Sequence, residues 1–458
     1  MTKKKKFKLV DAILATVCIT LVAESVAPTA AIGNSQYFWW ILLIAAFCVP
    51  YGLITAELGS TFDSEGGMYD WVKRAFGKKW AARVAWNYWI NFPLWIASLA
   101  VAVTDVIVGI FGVELSIFWL LVLQLGYTWL VSFLGTQRIG ESKWIVNLGT
   151  FFKIAFMVAL GLLGIYVFIK TGESANPIQG VTDLLPSFDL AGLSFISVII
   201  FNFLGFEVVA TFTQDMENPK KEIPKALIIG GALMALFYIL PATGINIAMS
   251  TADAEAAGLT DAFAILLTNL GVNADIIRAI VIAVGLMFIY TMVANIVSWS
   301  FGVNSVAKYS AEDGGLPKIF AKTNKDGVPY MASILNGVVA TVIVVVGVIL
   351  GVVSESASNL FWTFFSLSLI TLLLSYAPLF LAFLKLRKTD NTERAYKVPG
   401  NKLVLNLITW VPFVMLILSI VFTLFIDFTM ESFMANLPLI IGVAVSLVVQ
   451  EILAARVK

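Results

Sequence analysis

Long apolar segments alternate with short polar ones along the whole chain. A transmembrane helix needs about 20 largely apolar residues, and twelve of the segments reach that length. Apolar and polar residues do not alternate at the spacing of a barrel strand, so each segment predicts a helix. The twelve segments are residues 11–33, 38–60, 80–112, 116–136, 143–170, 191–214, 225–249, 276–307, 330–352, 359–386, 403–426 and 433–455.

The composition excludes a soluble protein. Apolar residues make up 59% of the 458 residues, and Asp, Glu, Lys and Arg together only 13%, whereas soluble globular domains have roughly 45–50% and about 25%. The sequence contains no histidine, which excludes histidine metal ligands, general bases and proton relays. Cys18 and Cys48 lie in apolar segments and are interpreted as buried packing residues. The pattern predicts an all-α integral membrane protein.

The basic residues orient the predicted helices. When the N-terminus is placed in the cytoplasm, 27 of the 30 Lys and Arg residues fall in cytoplasmic segments, as the positive-inside rule requires. Lys170 and Arg278 then fall outside, and Lys153 lies within the fifth segment. This distribution predicts a multi-pass protein of the cell membrane with twelve transmembrane helices and both termini in the cytoplasm. The short loops carry no nucleotide-binding cassette, so the chain is not expected to hydrolyse ATP.

Two segments carry a carboxylate beside a residue that disrupts a helix. The first contains Glu24 within residues 23–28 (AESVAP), and the sixth contains Glu207 within residues 202–207 (NFLGFE). A charged side chain in hydrocarbon costs roughly 2.5–3.5 kcal/mol even on the mildest insertion scale, which favours a functional role. The alternative to a functional role is that Pro28 only kinks the first helix and Gly205 only makes room for a neighbouring helix.

The positions of the two interruptions predict a substrate site. Transporters built from inverted repeats bind substrate near the midplane, where two corresponding helices lose their regular hydrogen bonding. The first and sixth segments correspond in a repeat of five helices. The residues predicted to contact substrate in the interruptions are Glu24, Ser25, Ala27, Asn202, Gly205 and Glu207.

The loops carry four motifs in a fixed order. Together with the predicted topology, they resemble the amino acid–polyamine–organocation transporters throughout the length of the chain. The motifs are 57–59 (ELG) with 65–72 (EGGMYDWV) and 75–77 (AFG), 205–207 (GFE) with 217–226 (ENPKKEIPKA), 311–317 (AEDGGLP) with 327–330 (GVPY), and 395–400 (AYKVPG).

The resemblance implies one transporter domain over residues 1–458. A five-plus-five inverted repeat with broken helices 1 and 6 is expected, with helices 1–5 in residues 1–170 and helices 6–10 in residues 191–386. Two peripheral helices follow in residues 403–455. Members of this superfamily move amino acids or their decarboxylated amines by alternating access, some as exchangers and others coupled to protons.

The resemblance also implies roles for single residues. Trp299 matches an aromatic of the eighth helix that packs on substrate, Phe201 a gating aromatic of the sixth, and Tyr88 an aromatic of the third. For each of the three, ordinary helix packing is the alternative. Lys153 matches a lysine of the fifth helix whose ammonium takes the place of a sodium ion between the first and eighth helices. The alternative for Lys153 is a side chain that snorkels to the cytoplasm.

One departure from the family pattern bears on the substrate. Members that carry amino acids have a Gly-Ser-Gly type stretch in the broken first helix, where free backbone N–H groups hold the substrate carboxylate. Here both glycines are missing, and Glu24 has taken a place in the stretch. A carboxylate repels a bound carboxylate, but it can pair with an ammonium or guanidinium group. Polyamine carriers of this superfamily similarly have an acidic residue in the first helix.

These observations favour a secondary active transporter of a small organic cation, with agmatine/putrescine exchange as the best single hypothesis. The alternative is a neutral or cationic amino acid transporter of the same fold, either an exchanger or proton-coupled, in which Glu24 pairs with the α-amino group. An integral membrane enzyme is disfavoured because nucleophile and metal motifs are missing, and a non-transporting sensor is disfavoured by the charged midplane. The expected partners are the amine or amino acid substrate and the lipid bilayer. No cofactor, metal or nucleic acid is expected. The sequence leaves open whether the chain forms a homo-oligomer.

Overall fold

The computed structural model describes residues 8–30, 32–62, 64–186, 190–211, 216–256, 258–354, 360–425 and 429–457. These residues form helices and loops and contain no β-strand. The α-helices, in chain order, are α1 (Leu9–Thr20), α2 (Val26–Ala30), α3 (Gln36–Leu43), α4 (Val49–Thr61), α5 (Met68–Phe76), α6 (Lys78–Phe111), α7 (Ile117–Leu134), α8 (Ile139–Thr171), α9 (Leu190–Phe201), α10 (Glu207–Ala210), α11 (Pro219–Ala248), α12 (Thr251–Ala256), α13 (Leu259–Asn269), α14 (Ala274–Glu312), α15 (Tyr330–Ser354), α16 (Leu360–Thr389), α17 (Lys402–Leu424), α18 (Met430–Ala435) and α19 (Leu437–Arg456). Single 3₁₀ turns lie at Ala23–Ser25, Gly33–Ser35, Val181–Leu184 and Lys318–Ala321, and a π turn at Ile44–Cys48 joins α3 to α4.

Within the described residues, ten continuous helical stretches are long and apolar enough to cross a membrane. They coincide with ten of the twelve apolar segments that the sequence predicts to be helices, and this confirms an all-helical membrane fold. The first and sixth segments differ, because each is divided into shorter pieces.

The break in the first segment follows α1. Leu21 and Val22 have extended backbone conformations before the 3₁₀ turn that leads into α2. The Val22 N–H donates a 2.7 Å hydrogen bond to the hydroxyl of Tyr238 in α11. It therefore does not form the helical hydrogen bond to the Cys18 carbonyl. The same hydroxyl donates to the Thr20 carbonyl over 2.7 Å. A side chain of α11 therefore satisfies backbone groups that the break exposes, as buried polar groups require.

The break in the sixth segment lies between α9 and α10. Gly205 has a φ of +114°, a conformation that side-chain-bearing residues rarely adopt. A Cβ atom at this position would lie 2.4 Å from Cγ2 of Ile19 and 2.9 Å from the Trp299 ring. Glycine thus lets the broken sixth helix pass close to α1 and α14. The C-terminal end of this predicted segment, from residue 212, lies outside the described residues.

Small residues bring α8 against α11 and α14. A Cβ atom on Gly164 would lie 2.6 Å from Cα of Gly244, and one on Gly149 would lie 2.2 Å from Cβ of Ala294. Helices in lipid associate through close packing at small residues, because there is no apolar driving force between them. With α8 in this position, Lys153 of α8 lies at the first break.

Candidate functional site

Glu207 begins α10 and is held by three tyrosines. The hydroxyls of Tyr88 and Tyr376 donate to Oε1 over 2.7 and 2.5 Å, and the hydroxyl of Tyr51 donates to Oε2. Glu207 is 1% exposed. The three phenols come from α6, α16 and α4, so this carboxylate joins the broken sixth helix to three others. Its acceptor capacity is largely used within the protein.

The hydrogen bonding of the Glu24 carboxylate differs from that of Glu207. Both oxygens of its carboxylate are buried, and neither has a hydrogen-bond partner among the described residues. The Lys153 ammonium interacts with this carboxylate electrostatically, but the two side chains form no direct ion pair. A buried carboxylate normally has several donors, because burial without them is costly. Glu24 therefore has capacity to accept hydrogen bonds from a bound cation.

Ser25 and Asn202 connect the two breaks directly. Oγ of Ser25 lies 2.7 Å from Oδ1 of Asn202 and 2.8 Å from the carbonyl oxygen of Val22. Asn202 is fully buried, and its Nδ2 atom has no partner in the described part of the chain. The backbone of Ala27 lies in α2, but its side chain is outside the described set.

Lys153 lies against the end of α1. It is 0% exposed, and its ammonium donates to the carbonyl of Cys18 over 3.0 Å and to the carbonyl of Leu21. Asn295 of α14 donates to the carbonyls of Cys18 and Ile19 over 3.0 and 3.3 Å. Asn295 thus links the eighth predicted helix to the Cys18 carbonyl, while both carbonyl contacts of Lys153 lie in the first predicted helix.

The predicted aromatics fall into two groups. Trp299 lies beside Tyr88, with ring centroids 6.3 Å apart, and its Nε1–H donates to the Ile19 carbonyl over 3.3 Å. Phe201 instead packs edge-on against Trp95 and Phe365, at 5.3 and 5.0 Å. Tyr88, Trp299 and Glu207 are therefore neighbours, and Phe201 belongs to an adjacent aromatic cluster.

The sequence reasoning missed four residues that shape the site. Tyr51, Tyr376, Tyr238 and Asn295 all contact the broken segments or Glu207. Each is a single polar side chain in an apolar segment, and this is the only feature of the sequence that could have indicated a role in the site. Such residues are also common in ordinary membrane-helix packing, so the pattern alone does not single them out.

A second polar cluster joins α5 to the end of α14, away from the breaks. Asp313 accepts hydrogen bonds of 2.7 Å from Lys73 and from the Tyr69 hydroxyl, and Lys78 lies 3.4 Å away. Burial raises the pKa of the Asp313 carboxyl, but the hydrogen bonds from Lys73 and Tyr69 outweigh it and bring the pKa below its ordinary value.

Comparison with known proteins identifies the family. The sequence model described as "Amino acid permease" matches residues 7–446. A "probable agmatine/putrescine antiporter" of Lactococcus lactis subsp. lactis is 44% identical over 99% of this chain and 95% of its own length. The "putrescine transporter" of Escherichia coli K12 is 25% identical over 83% of this chain and 82% of its own length. An "aspartate/glutamate permease" of Lactococcus lactis subsp. cremoris is 24% identical over 78% and 75%.

These matches confirm the resemblance inferred from the loop motifs, and they describe a transporter, not an enzyme. The apolar helices agree with a multi-pass protein of the cell membrane. Because the family match extends over almost the entire sequence, the chain belongs to the amino acid permease family within the amino acid–polyamine–organocation superfamily.

Proposed function

We propose that this chain is a secondary active antiporter of small organic cations and that it exchanges agmatine for putrescine by alternating access. The observation that carries the proposal is the buried carboxylate of Glu24 in the broken first helix, which has no hydrogen-bond partner among the residues that the structure describes. A desolvated carboxylate with free acceptor capacity forms a strong charge-assisted hydrogen bond with an ammonium or guanidinium. The full-length similarity to a probable agmatine/putrescine antiporter supports the same cargo.

For the architecture, we propose twelve transmembrane helices in a single domain with both termini in the cytoplasm. Helices 1–5 in residues 1–170 and helices 6–10 in residues 191–386 form two inverted repeats, and residues 403–455 supply two peripheral helices. The two breaks support this arrangement, because they occur in apolar segments that are five apart in the order of the chain. The charge distribution supports the orientation.

In the proposed site, cargo lies between the two breaks. Glu24 pairs with a cationic end of the cargo, Ser25 and Ala27 line the first break, and Asn202 lines the second. Trp299 offers its ring face to a cation, an interaction worth roughly 0.5–2 kcal/mol.

The remaining residues proposed to contact cargo surround this position. Tyr88 lies beside the Trp299 ring, and Phe201 flanks the site from the aromatic cluster. Glu207 with its tyrosines holds the sixth helix to its neighbours, and Gly205 keeps the backbone close to α1.

We propose that Lys153 replaces a coupling sodium ion. Its fixed ammonium binds two carbonyls at the break of the first helix, and the resemblance implies that sodium-coupled relatives hold a cation between the first and eighth helices. Transport then needs no sodium gradient.

A second candidate is an amino acid transporter in which Glu24 pairs with the α-amino group. The similarity to an aspartate/glutamate permease favours it. An amino acid also needs a donor for its carboxylate. In its present orientation, Nδ2 of Asn202 is such a donor, since it has no acceptor within the described part of the chain.

Exchange in proteoliposomes tests the two candidates. The purified protein is reconstituted, the vesicles are preloaded with putrescine, agmatine, tyramine, arginine or leucine, and uptake of each labelled compound is measured. The proposal predicts putrescine uptake that depends on internal agmatine or putrescine. Uptake of amino acids without uptake of amines would overturn it.

A further inference from the structure

With the side-chain amide of Asn202 in its present orientation, the contacts between the two breaks have fewer protons than hydrogen bonds. Oγ of Ser25 lies within hydrogen-bond distance of two acceptors, the Val22 carbonyl and Oδ1 of Asn202. A serine hydroxyl has one proton and can serve only one of them. At the same time, the Nδ2 group of Asn202 is buried and has no acceptor within the described ranges.

Turning the carboxamide of Asn202 by 180° resolves this conflict. The oxygen and nitrogen of an amide group exchange places without a change in shape, and the surrounding hydrogen bonds decide between the two states. In the turned state, Nδ2–H donates to Oγ of Ser25, and the Ser25 hydroxyl donates to the Val22 carbonyl. Both close contacts then contain a proton, and the atom left free is Oδ1.

We infer that Asn202 offers its carbonyl oxygen to the cargo and thereby selects ammonium and guanidinium compounds against amino acids. The inference rests on the proposed function and deepens it. Ser25 is the neighbour of Glu24 in the chain and contacts Asn202, so the carboxylate of Glu24 in the first break and the amide oxygen of Asn202 in the second lie at the junction of the two breaks. Both are acceptors, and a carboxylate group of an amino acid would find no donor in either.

The backbone supports this assignment independently. Free N–H groups at a broken helix are the usual donors for a substrate carboxylate. Here Val22 N–H donates to the Tyr238 hydroxyl over 2.7 Å, and Gly205 N–H donates to the Tyr51 hydroxyl over 3.3 Å. Each break thus has one of its backbone donors taken by a tyrosine, which reduces the number of N–H groups that a substrate carboxylate could use.

Paired substitutions distinguish an acceptor from a donor at position 202. Asn202→Asp keeps the size and leaves only acceptors, whereas Asn202→Leu keeps the size and removes both kinds of group. Asn336→Leu, at a buried asparagine of α15, controls for the loss of a buried amide elsewhere. Binding of labelled putrescine and of arginine to the purified proteins is measured by titration, with thermal unfolding as the check on folding.

The acceptor role predicts that Asn202→Asp binds putrescine within about threefold of wild type, while Asn202→Leu loses about tenfold or more, as expected for a lost hydrogen bond to a charged group. The Asn336→Leu control should bind like wild type. If Asn202→Leu does not fold, Asn202→Ala provides the same comparison. Equal losses in the Asp and apolar variants would overturn the inference and leave the proposed function intact. A wild type that binds arginine but no amine would overturn both.

Discussion

Lys153 and Asn295 donate hydrogen bonds to the same backbone carbonyl, that of Cys18, each over 3.0 Å. In an unbroken helix this carbonyl would accept from Val22 N–H, four residues on. Because Val22 N–H donates to Tyr238 instead, the carbonyl is free for donors from α8 and α14. The break in the first helix therefore creates the acceptor that attaches it to two neighbouring helices.

Replacing Lys153 by Ala is expected to abolish or strongly slow exchange while the protein still inserts. The substitution removes the Lys153 donor from the Leu21 carbonyl and one of two donors from the Cys18 carbonyl, which keeps Asn295. A buried carbonyl that loses its donor costs about 1–3 kcal/mol. Exchange in proteoliposomes is the measurement, with membrane insertion as its control. Wild type should work equally well in sodium and in choline buffers. A strict need for sodium, or full activity of Lys153→Ala, would contradict the proposed role.

Glu24→Gln should lower the affinity for amine cargo at least about tenfold, because a desolvated ion pair is strongly weakened when one partner loses its charge. Glutamine keeps the shape, so the charge is what changes. Glu173→Gln, at an exposed position after α8, is the matched control and should transport like wild type. Unchanged affinity for putrescine in Glu24→Gln would exclude a role for the carboxylate in cargo recognition.

Trp299→Leu should weaken amine binding more than Trp299→Phe. Phenylalanine retains a ring face for a cation, whereas leucine keeps only apolar bulk, and the difference corresponds to roughly 0.5–2 kcal/mol. Binding of labelled putrescine to each purified variant measures it. Equal losses accompanied by poor expression would instead support a packing role against Tyr88 and Ile19.

The sequence predicted the breaks because a carboxylate next to Pro or Gly in an apolar segment is unusual, and Glu24 and Glu207 carry that signal. It also predicted the family from the loop motifs. It could not predict that three tyrosines from α4, α6 and α16 meet at Glu207, because those helices are distant in sequence. Nor could it show that Asn295 connects α14 to the first break, whereas Lys153 connects α8 to it. Such contacts depend on how the helices pack, which the hydrophobic pattern does not specify.

The ionised carboxyl of Asp313 should stabilise the folded protein, and this contribution should be lost at acidic pH. Partial burial would raise the pKa of this carboxyl, but Lys73 and Tyr69 outweigh it, so its folded pKa lies below the ordinary 3.8. A group with a lowered folded pKa stabilises above its unfolded pKa, and this contribution disappears as the pH falls through the folded value. The difference in melting temperature between wild type and Asp313→Asn should be constant from about pH 7 to pH 5 and shrink below about pH 4.

The matched control for this pH series is Glu114→Gln, in the exposed loop between α6 and α7. It should change the melting temperature little at any pH. A difference between wild type and Asp313→Asn that persists unchanged at the lowest pH would indicate that the carboxylate charge does not stabilise the junction of α5 with α14.

Gly205→Ala should prevent transport through two separable effects. An added Cβ would lie 2.4 Å from Ile19 and 2.9 Å from Trp299, and the φ of +114° adds a backbone strain of roughly 1–3 kcal/mol for a side-chain-bearing residue. The second substitution Ile19→Ala removes the nearer contact but not the strain. The double variant should therefore recover part of the putrescine exchange that Gly205→Ala loses, and Ile19→Ala alone should stay active. Full activity of Gly205→Ala would show that the close approach of the broken sixth helix to α1 is not needed for transport.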